Sequence, residues 1–491
     1  MMLKRIILII MPLVLSPVAF AQDFEKIFED FKKSAQQEFD SFADKANKEY
    51  AEFMRKSWEW FEGKEPETPP VKEEPVVPPV VLPEEDLDKD RKDREIPYGE
   101  LVPEPEPAPA PTPVEPIEEV PAPVVRSVVF ELYGTECSAR FDVDRKPLMR
   151  DVSENSIADF WDALTACDGM DNMLYDIYGQ RESLHLCDWA YYKYVSALAE
   201  AVYPESDAAD VLLVYIMTQS GFKIKMGIDK ELHIHPLMAV ECALYDYPYF
   251  DVAGQSYYVL DDKTVRSLKI LEDNFPATMH PMRISMEQEN LFTEHLSPLR
   301  SLTSRRYPEA SVTTTSNLNL ISFFDEYPLA FVNDDIRTKW RFYANVPVSH
   351  NVRESVYPGL KRAIAGKSEH QAADILLNFV QTAFEYEYDD KLWGGDRSFF
   401  ADESIYYPYC DCEDRSILFS RLVRDLMGLD VVLIYYPGHL AAAVKFTENV
   451  SGDYISYNGS RYIICDPTYI NAPVGVTMPD MDNASAFVVV L

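Results

Sequence analysis

Three residues in the last fifth of this 491-residue chain, Cys412, His439 and Asp466, have the types and order that covalent chemistry requires. Cys412 stands in Tyr409-Cys410-Asp411-Cys412-Glu413-Asp414-Arg415-Ser416, where a loop reads as turning into a helix. His439 opens an apolar strand after Pro437-Gly438, and Asp466 ends the next one, in Cys465-Asp466-Pro467-Thr468. A thiol attacks as its thiolate and needs a base to become one; the base in turn needs a third group to hold its tautomer. The spacing therefore predicts nucleophilic catalysis.

The elements that must position these groups are well signalled. Asp411 is a good N-cap with Asp414 three residues on, Ile417, Leu418, Leu422 and Leu426 give a buried side, and Gly428 ends the helix. A thiol in the first turn lies near the positive end of the helix dipole, which favours thiolate and suits an oxyanion. Asp411, Glu413 and Asp414 act the other way, so an imidazolium partner must supply much of the stabilisation. Residues 431–436 and 439–446 read as strands joined by Pro437-Gly438, and Asn458-Gly459 is a two-residue hairpin signal leading into a strand over 461–466. In such an antiparallel meander the start of one strand lies beside the end of the next, which makes His439 and Asp466 neighbours.

This stretch resembles the transglutaminase-like superfamily of papain-fold cysteine enzymes. The resemblance rests on Cys412-Glu413-Asp414-Arg415-Ser416, on the strand begun by His439 and on Asp466-Pro467-Thr468. It covers about residues 370 to 480. It implies an α+β fold with a helix on an antiparallel sheet, and acyl transfer through a thioester with no cofactor and no metal. In that chemistry Cys412 would be nucleophile, His439 general base then acid, and Asp466 orienting group. The departures are Cys410, where glycine is common, and Leu440-Ala441, where Ala-Trp is usual; the auxiliary oxyanion donor has only Trp393, Tyr407 and Tyr409 as candidates.

Hydrolysis of a peptide or isopeptide amide is the first expectation, and transfer from a glutamine donor to a lysine amine is the alternative within the same chemistry. A zinc site from Cys410, Cys412, His439 and Cys465 is a different class, disfavoured because Cys-x-Cys is tighter than usual and Asp466 would then have no role. A non-catalytic envelope scaffold is the fourth reading.

The rest of the chain sets the context. Residues 1–21 read as a leader cleaved after Ala21: Lys4-Arg5, an apolar run from Ile6 to Val18, then Ala19-Phe20-Ala21. Export to a periplasm or cell envelope follows as an expectation, with a protein or peptide substrate such as an envelope peptide. No run is long and apolar enough to suggest a membrane span. The formal charge of −36, which loss of Lys4 and Arg5 takes to −38, argues against nucleic acid. Seven cysteines are too sparse for a disulfide scaffold, and the odd count leaves at least one thiol unpaired within an oxidised chain.

Residues 22–62 carry an aromatic stripe (Phe24, Phe28, Phe31, Phe39, Phe42, Tyr50, Phe53, Trp60) at helical spacing, which predicts a helix that packs on its own body or self-associates. Residues 63–124 hold nearly half of the 35 prolines and read as an extended spacer. The body divides as 125–265, 266–365 and 366–491. The first division reads as a degenerate, non-catalytic copy of the last. In each, a helix (188–202 or 412–427) precedes a strand leading to a histidine (His235 or His439), and a hairpin strand then stops at aspartate (Asp261 or Asp466). Ungapped alignment puts Trp189 at the place of Cys412, with Cys187 as a rival nucleophile two residues earlier. Residues 266–365 read as mixed strands and loops without chemistry, with a strand pair over 311–322.

Overall fold

Alternating and helical apolar patterns coexist through the body, and the fold is accordingly α+β, with helices covering antiparallel sheets. The computed structural model describes residues 46–56, 58–68, 78–80, 92–102, 110–113, 126–271, 279–331, 336–395 and 397–491. The predicted leader and the first half of the predicted N-terminal helix lie outside the described residues. No helix among those described is long and apolar enough to cross a membrane.

The larger of the two main sheets among the described residues has seven strands, in the order Arg94–Glu95, Asp453–Tyr457, Ser460–Cys465, His439–Val444, Val431–Tyr436, Phe487–Val490, Glu100–Val102. Helix Cys412–Met427 lies on one face, against strands His439–Val444 and Val431–Tyr436. Ile96 packs into the opposite face among Val432, Ile434, Ala441, Ile464 and Val488. Both edge strands come from one short stretch of chain. Glu95 and Glu100 are at most about 18 Å apart along the backbone, whereas the edges of a flat seven-stranded sheet would lie about 29 Å apart. The sheet must therefore curl around Ile96, and residues 92–102 strap it shut. This changes the reading of 63–124 as a spacer: parts of it complete a sheet, because bare sheet edges need pairing. Arg94 anchors one end by donating two hydrogen bonds to the Asp453 carboxylate, at 2.8 and 2.5 Å.

The upstream sheet runs Glu59–Glu62, Ser267–Ile270, Ile224–Ile228, Ile234–Ala239, Gln255–Val259, Tyr249–Val252. Read from Glu100–Val102 inward, six strands of the downstream sheet follow the same order. The two arrangements differ in the first strand, parallel to its neighbour downstream and antiparallel upstream. Each sheet also carries, on its first two hairpin strands, the helix immediately preceding them: Asp207–Gln219 upstream and Cys412–Met427 downstream.

This corrects the sequence alignment of the two halves. The counterpart of Cys412–Met427 is Asp207–Gln219, and helix Asp188–Val202 instead occupies the place of Glu369–Ala383, each packed on its sheet-covering helix. The residue at the start of the counterpart helix is Asp207, after the N-cap Ser206. Trp189 is a fully buried core indole. Ungapped alignment matched the wrong helix of a helical pair.

Three further differences have simple physical causes. The predicted helix over 22–62 is helical at 46–54, where Ala46, Tyr50 and Met54 are buried on the upstream half, with Tyr50 edge-on to Trp161 at 4.8 Å. Glu59–Glu62 is instead a strand, since pairing with Ser267–Ile270 satisfies a sheet edge that helix propensity ignores. Ser267–Ile270 also lies beyond the expected boundary at 265. In the middle region Ser311–Thr314 pairs with Arg300–Thr303, but Leu318–Asp325 is a helix capped by Asn317. Among the described residues four more helical segments follow before Ala365, one of them the short turn Ile336–Thr338. The apolar core continues through this region without a break: Trp189 meets Tyr327, and Tyr327, Phe324 and Tyr343 all meet Phe400.

Candidate active site

The helix that presents Cys412 begins as its sequence predicts. Asp411 accepts from the Glu413 N–H at 2.9 Å and from the Asp414 N–H at 3.4 Å, and the Asp414 carboxylate accepts in return from the Asp411 N–H at 3.1 Å. Gly428, at φ 69°, closes the helix in the left-handed region that lacks a Cβ penalty. Two side chains fix the helix in place. Ser416 donates its hydroxyl to the Leu440 carbonyl at 2.8 Å. Arg415, buried, donates to the carbonyls of Gln381 and Phe384. Residues four apart share a helix face, so Cys412 lies one turn ahead of Ser416, at the corner where Leu440 follows His439.

His439 Nε2 and Asp466 Oδ2 are 2.9 Å apart. Asp466 Oδ1 accepts from the N–H groups of Thr468 (2.9 Å) and Tyr469 (3.1 Å), so the carboxylate is held on both oxygens. An ionised carboxylate only accepts, which places the imidazole proton on Nε2 and leaves Nδ1 with its lone pair for a thiol. The Tyr436 ring stacks on the imidazole at 6.1 Å. Cys412, His439 and Asp466 are each 2 % exposed, and in so dry a site charge interactions are strong.

Gln381 is the least expected member of this corner. Its amide donates to three carbonyls, those of Asp466 (3.0 Å), Tyr469 (2.8 Å) and Ala472 (3.0 Å), and its Oε1 accepts from the Asn471 N–H (3.1 Å). It thereby clamps the loop that carries Asp466. Its signal in the sequence is one amide inside a buried helical stripe, between Val380 and Thr382 in helix Glu369–Ala383.

The acidic residues around the thiol oppose it less than their formal charge suggests. Burial, then the nearby Asp411 and Asp389, pushes the Asp414 carboxyl well above the usual range, which favours its neutral form. Glu413 lies 3.7 Å from the buried Lys339 ammonium. Burial also pushes the Cys410 thiol up to about 11 and the Cys187 thiol up to about 12, so both hold their protons at neutral pH. Cys187, the rival nucleophile, precedes a helix other than the counterpart of Cys412–Met427.

None of the seven cysteines is joined in a disulfide. Among the described residues, ligand atoms gather within 4.8 Å of one another at Asp389, Asp411 and Glu413, and the proposed zinc set of Cys410, Cys412, His439 and Cys465 does not gather in this way. Of the three oxyanion candidates, the Trp393 ring packs edge-on against Tyr407 and Phe399. The Tyr407 hydroxyl is donated to Asp325 at 3.2 Å, and Tyr409 pairs with Glu385 through the backbone.

No family model, no curated protein and no solved structure matches this chain.

Proposed function

We propose that the chain is an exported transglutaminase-like cysteine enzyme that hydrolyses peptide or isopeptide amides through a thioester. The observation that carries this reading is the buried His439–Asp466 pair, held at 2.9 Å beside the first turn of the helix that begins with Cys412. Such a pair is costly to bury, and the loop held by Asp466 uses only its Oδ1, so that duty does not account for the imidazole on Oδ2. In the reaction His439 Nδ1 takes the thiol proton and Cys412 Sγ bonds to the carbonyl carbon, whose π pair moves to oxygen. The intermediate collapses as the C–N bond breaks, and the leaving amine takes the proton from His439. Water, deprotonated by the same nitrogen, then cleaves the thioester and frees the thiol and a carboxylic acid.

The upstream half reads as a non-catalytic copy. It shares the order of six strands and the position of the covering helix, has a carboxylate, Asp207, at the start of that helix, and keeps His235, whose Nε2 lies 3.2 Å from Asp229. An envelope peptide is the proposed substrate, and the −36 charge supports a partner other than nucleic acid.

Iodoacetamide labelling followed by peptide mapping tests the reading. Cys412 should be labelled selectively and faster than the other six cysteines, and His439→Ala should abolish that preference. Labelling of Cys412 no faster than of Cys410 or Cys465 would favour a scaffold. Incubation of envelope extract with wild type and with Cys412→Ala separates the two chemistries: new free carboxylates mean hydrolysis, and new cross-links mean transfer to amines.

A further inference from the structure

We propose that the Tyr386 hydroxyl is the side-chain donor that receives the oxyanion formed when Cys412 attacks a carbonyl. The assignment rests on the reading of Cys412 as nucleophile and adds a residue absent from the three sequence candidates.

The placement of Tyr386 follows from the backbone around it. The segment after helix Glu369–Ala383 runs parallel to the residues that lead into Cys412: Glu385 N–H donates to the Pro408 carbonyl at 3.2 Å, and Cys410 N–H donates to the Glu385 carbonyl at 3.1 Å. Arg415 fixes the same segment through the Phe384 carbonyl, and its guanidinium lies 5.2 Å from the centre of the Tyr386 ring. Arg415 is three residues after Cys412 and so on its side of the helix. The ring also meets that of Tyr388 nearly at right angles, with centres 5.4 Å apart. The phenol is thus wedged by Arg415 and Tyr388 beside the first turn of the nucleophile helix.

Its hydrogen bond is unspent. Among the described residues the Tyr386 hydroxyl makes none, in contrast to Tyr407, whose hydroxyl is engaged by Asp325. Burial, then the neighbouring Cys412 and Asp411, pushes the phenol above its ordinary ionisation range, so it is a neutral donor at neutral pH. Tyr386 is half-buried, and a neutral donor placed beside the attacked carbonyl is the arrangement that stabilises a tetrahedral intermediate. No proton leaves the phenol. The C–S bond forms, the carbonyl π pair settles on oxygen, the O–H of Tyr386 holds that oxygen, and the pair returns when the C–N bond breaks.

Tyr386→Phe keeps the ring on Arg415 and removes only the donor. Two probes of the same thiol then separate the roles. Acylation by p-nitrophenyl acetate, read as a burst of nitrophenolate, passes through an oxyanion and should fall about 100-fold, the loss typical of an oxyanion donor. Alkylation by iodoacetamide forms no oxyanion and should stay within about twofold of wild type, since it depends on the thiolate alone. Equal falls in both rates would mean that Tyr386 acts through the thiol or the fold, and no fall in either would mean that it has no role; each result overturns the assignment. A wild-type protein with no burst beyond that of Cys412→Ala would overturn the nucleophile itself, a failure distinct from a Tyr386→Phe variant that bursts like wild type.

Discussion

The division of labour at the candidate site is sharpest at Asp466. One oxygen holds the loop through Thr468 and Tyr469, and the other faces the imidazole. Asp466→Asn keeps an oxygen acceptor for the two N–H groups, so the fold should survive with its melting temperature nearly unchanged. What the amide removes is the negative charge that steadies the imidazolium. Charge-assisted hydrogen bonds contribute about 1.5–3 kcal/mol, so alkylation of Cys412 at neutral pH should slow by roughly 10- to 100-fold. A rate equal to wild type would mean that His439 is not the base. His439 and Asp466 were legible in the sequence because strand, turn and strand fix their relation locally. Gln381 and Arg415 were not, because each acts on carbonyls far along the chain and neither has a partner type that a motif would show.

At the scale of elements, legibility followed the strength of the end signals. Helix Cys412–Met427 and strand Val431–Tyr436 have the bounds their caps and turns predict, down to Asn458 at φ 48° and Gly459 at φ 69° in the hairpin. Glu59–Glu62 was misread because its partner strand lies some two hundred residues on, and Asp207–Gln219 was passed over because its apolar residues run right round it. That helix is buried on nearly every side, so no stripe marks it. Its burial has a thermodynamic consequence at Asp210, one turn in. Burial first, then Asp261, Asp207 and Glu200, pushes this carboxyl up to about 8. A group that binds its proton more tightly folded than unfolded, where the value is about 4, stabilises the fold fully below pH 4, and that stability is lost as pH rises from about 4 through 8. Glu403, which burial takes to about 7, and Asp402, taken to about 6, contribute in the same direction over narrower windows. Asp210→Asn should therefore raise the melting temperature at pH 8, by an amount equivalent to about 1–3 kcal/mol, and the gain should vanish near pH 4. A gain of equal size at both pH values would show that the carboxyl is not the cause.

For the whole molecule, the decisive feature is that neither sheet is completed by its own half of the chain. Glu59–Glu62 supplies the last strand upstream, and residues 92–102 supply both edges downstream. The sequence could not reveal this, because a proline- and glutamate-rich stretch reads as spacer wherever its few apolar residues are scattered, and Ile96 gains meaning only once the curled sheet exists around it. The strap is also what keeps a strongly twisted sheet from offering two open edges to other chains. Ile96→Ala should destabilise the protein by about 2–5 kcal/mol, as large-to-small changes in a packed core do, although it lies some three hundred residues from the strands it supports. A fragment of residues 126–491 should fare worse, since it loses Ile96 and exposes both downstream edges and the upstream edge Ser267–Ile270 at once: it should run in sedimentation or size-exclusion experiments as aggregate or as a swapped oligomer. Adding peptides of residues 58–62 and 92–102 in excess should shift it back toward monomer, because strand addition restores the missing hydrogen bonds at all three edges. A fragment that is monomeric and melts like the full chain would show that the curl is intrinsic to the other five strands and that the strap only decorates it.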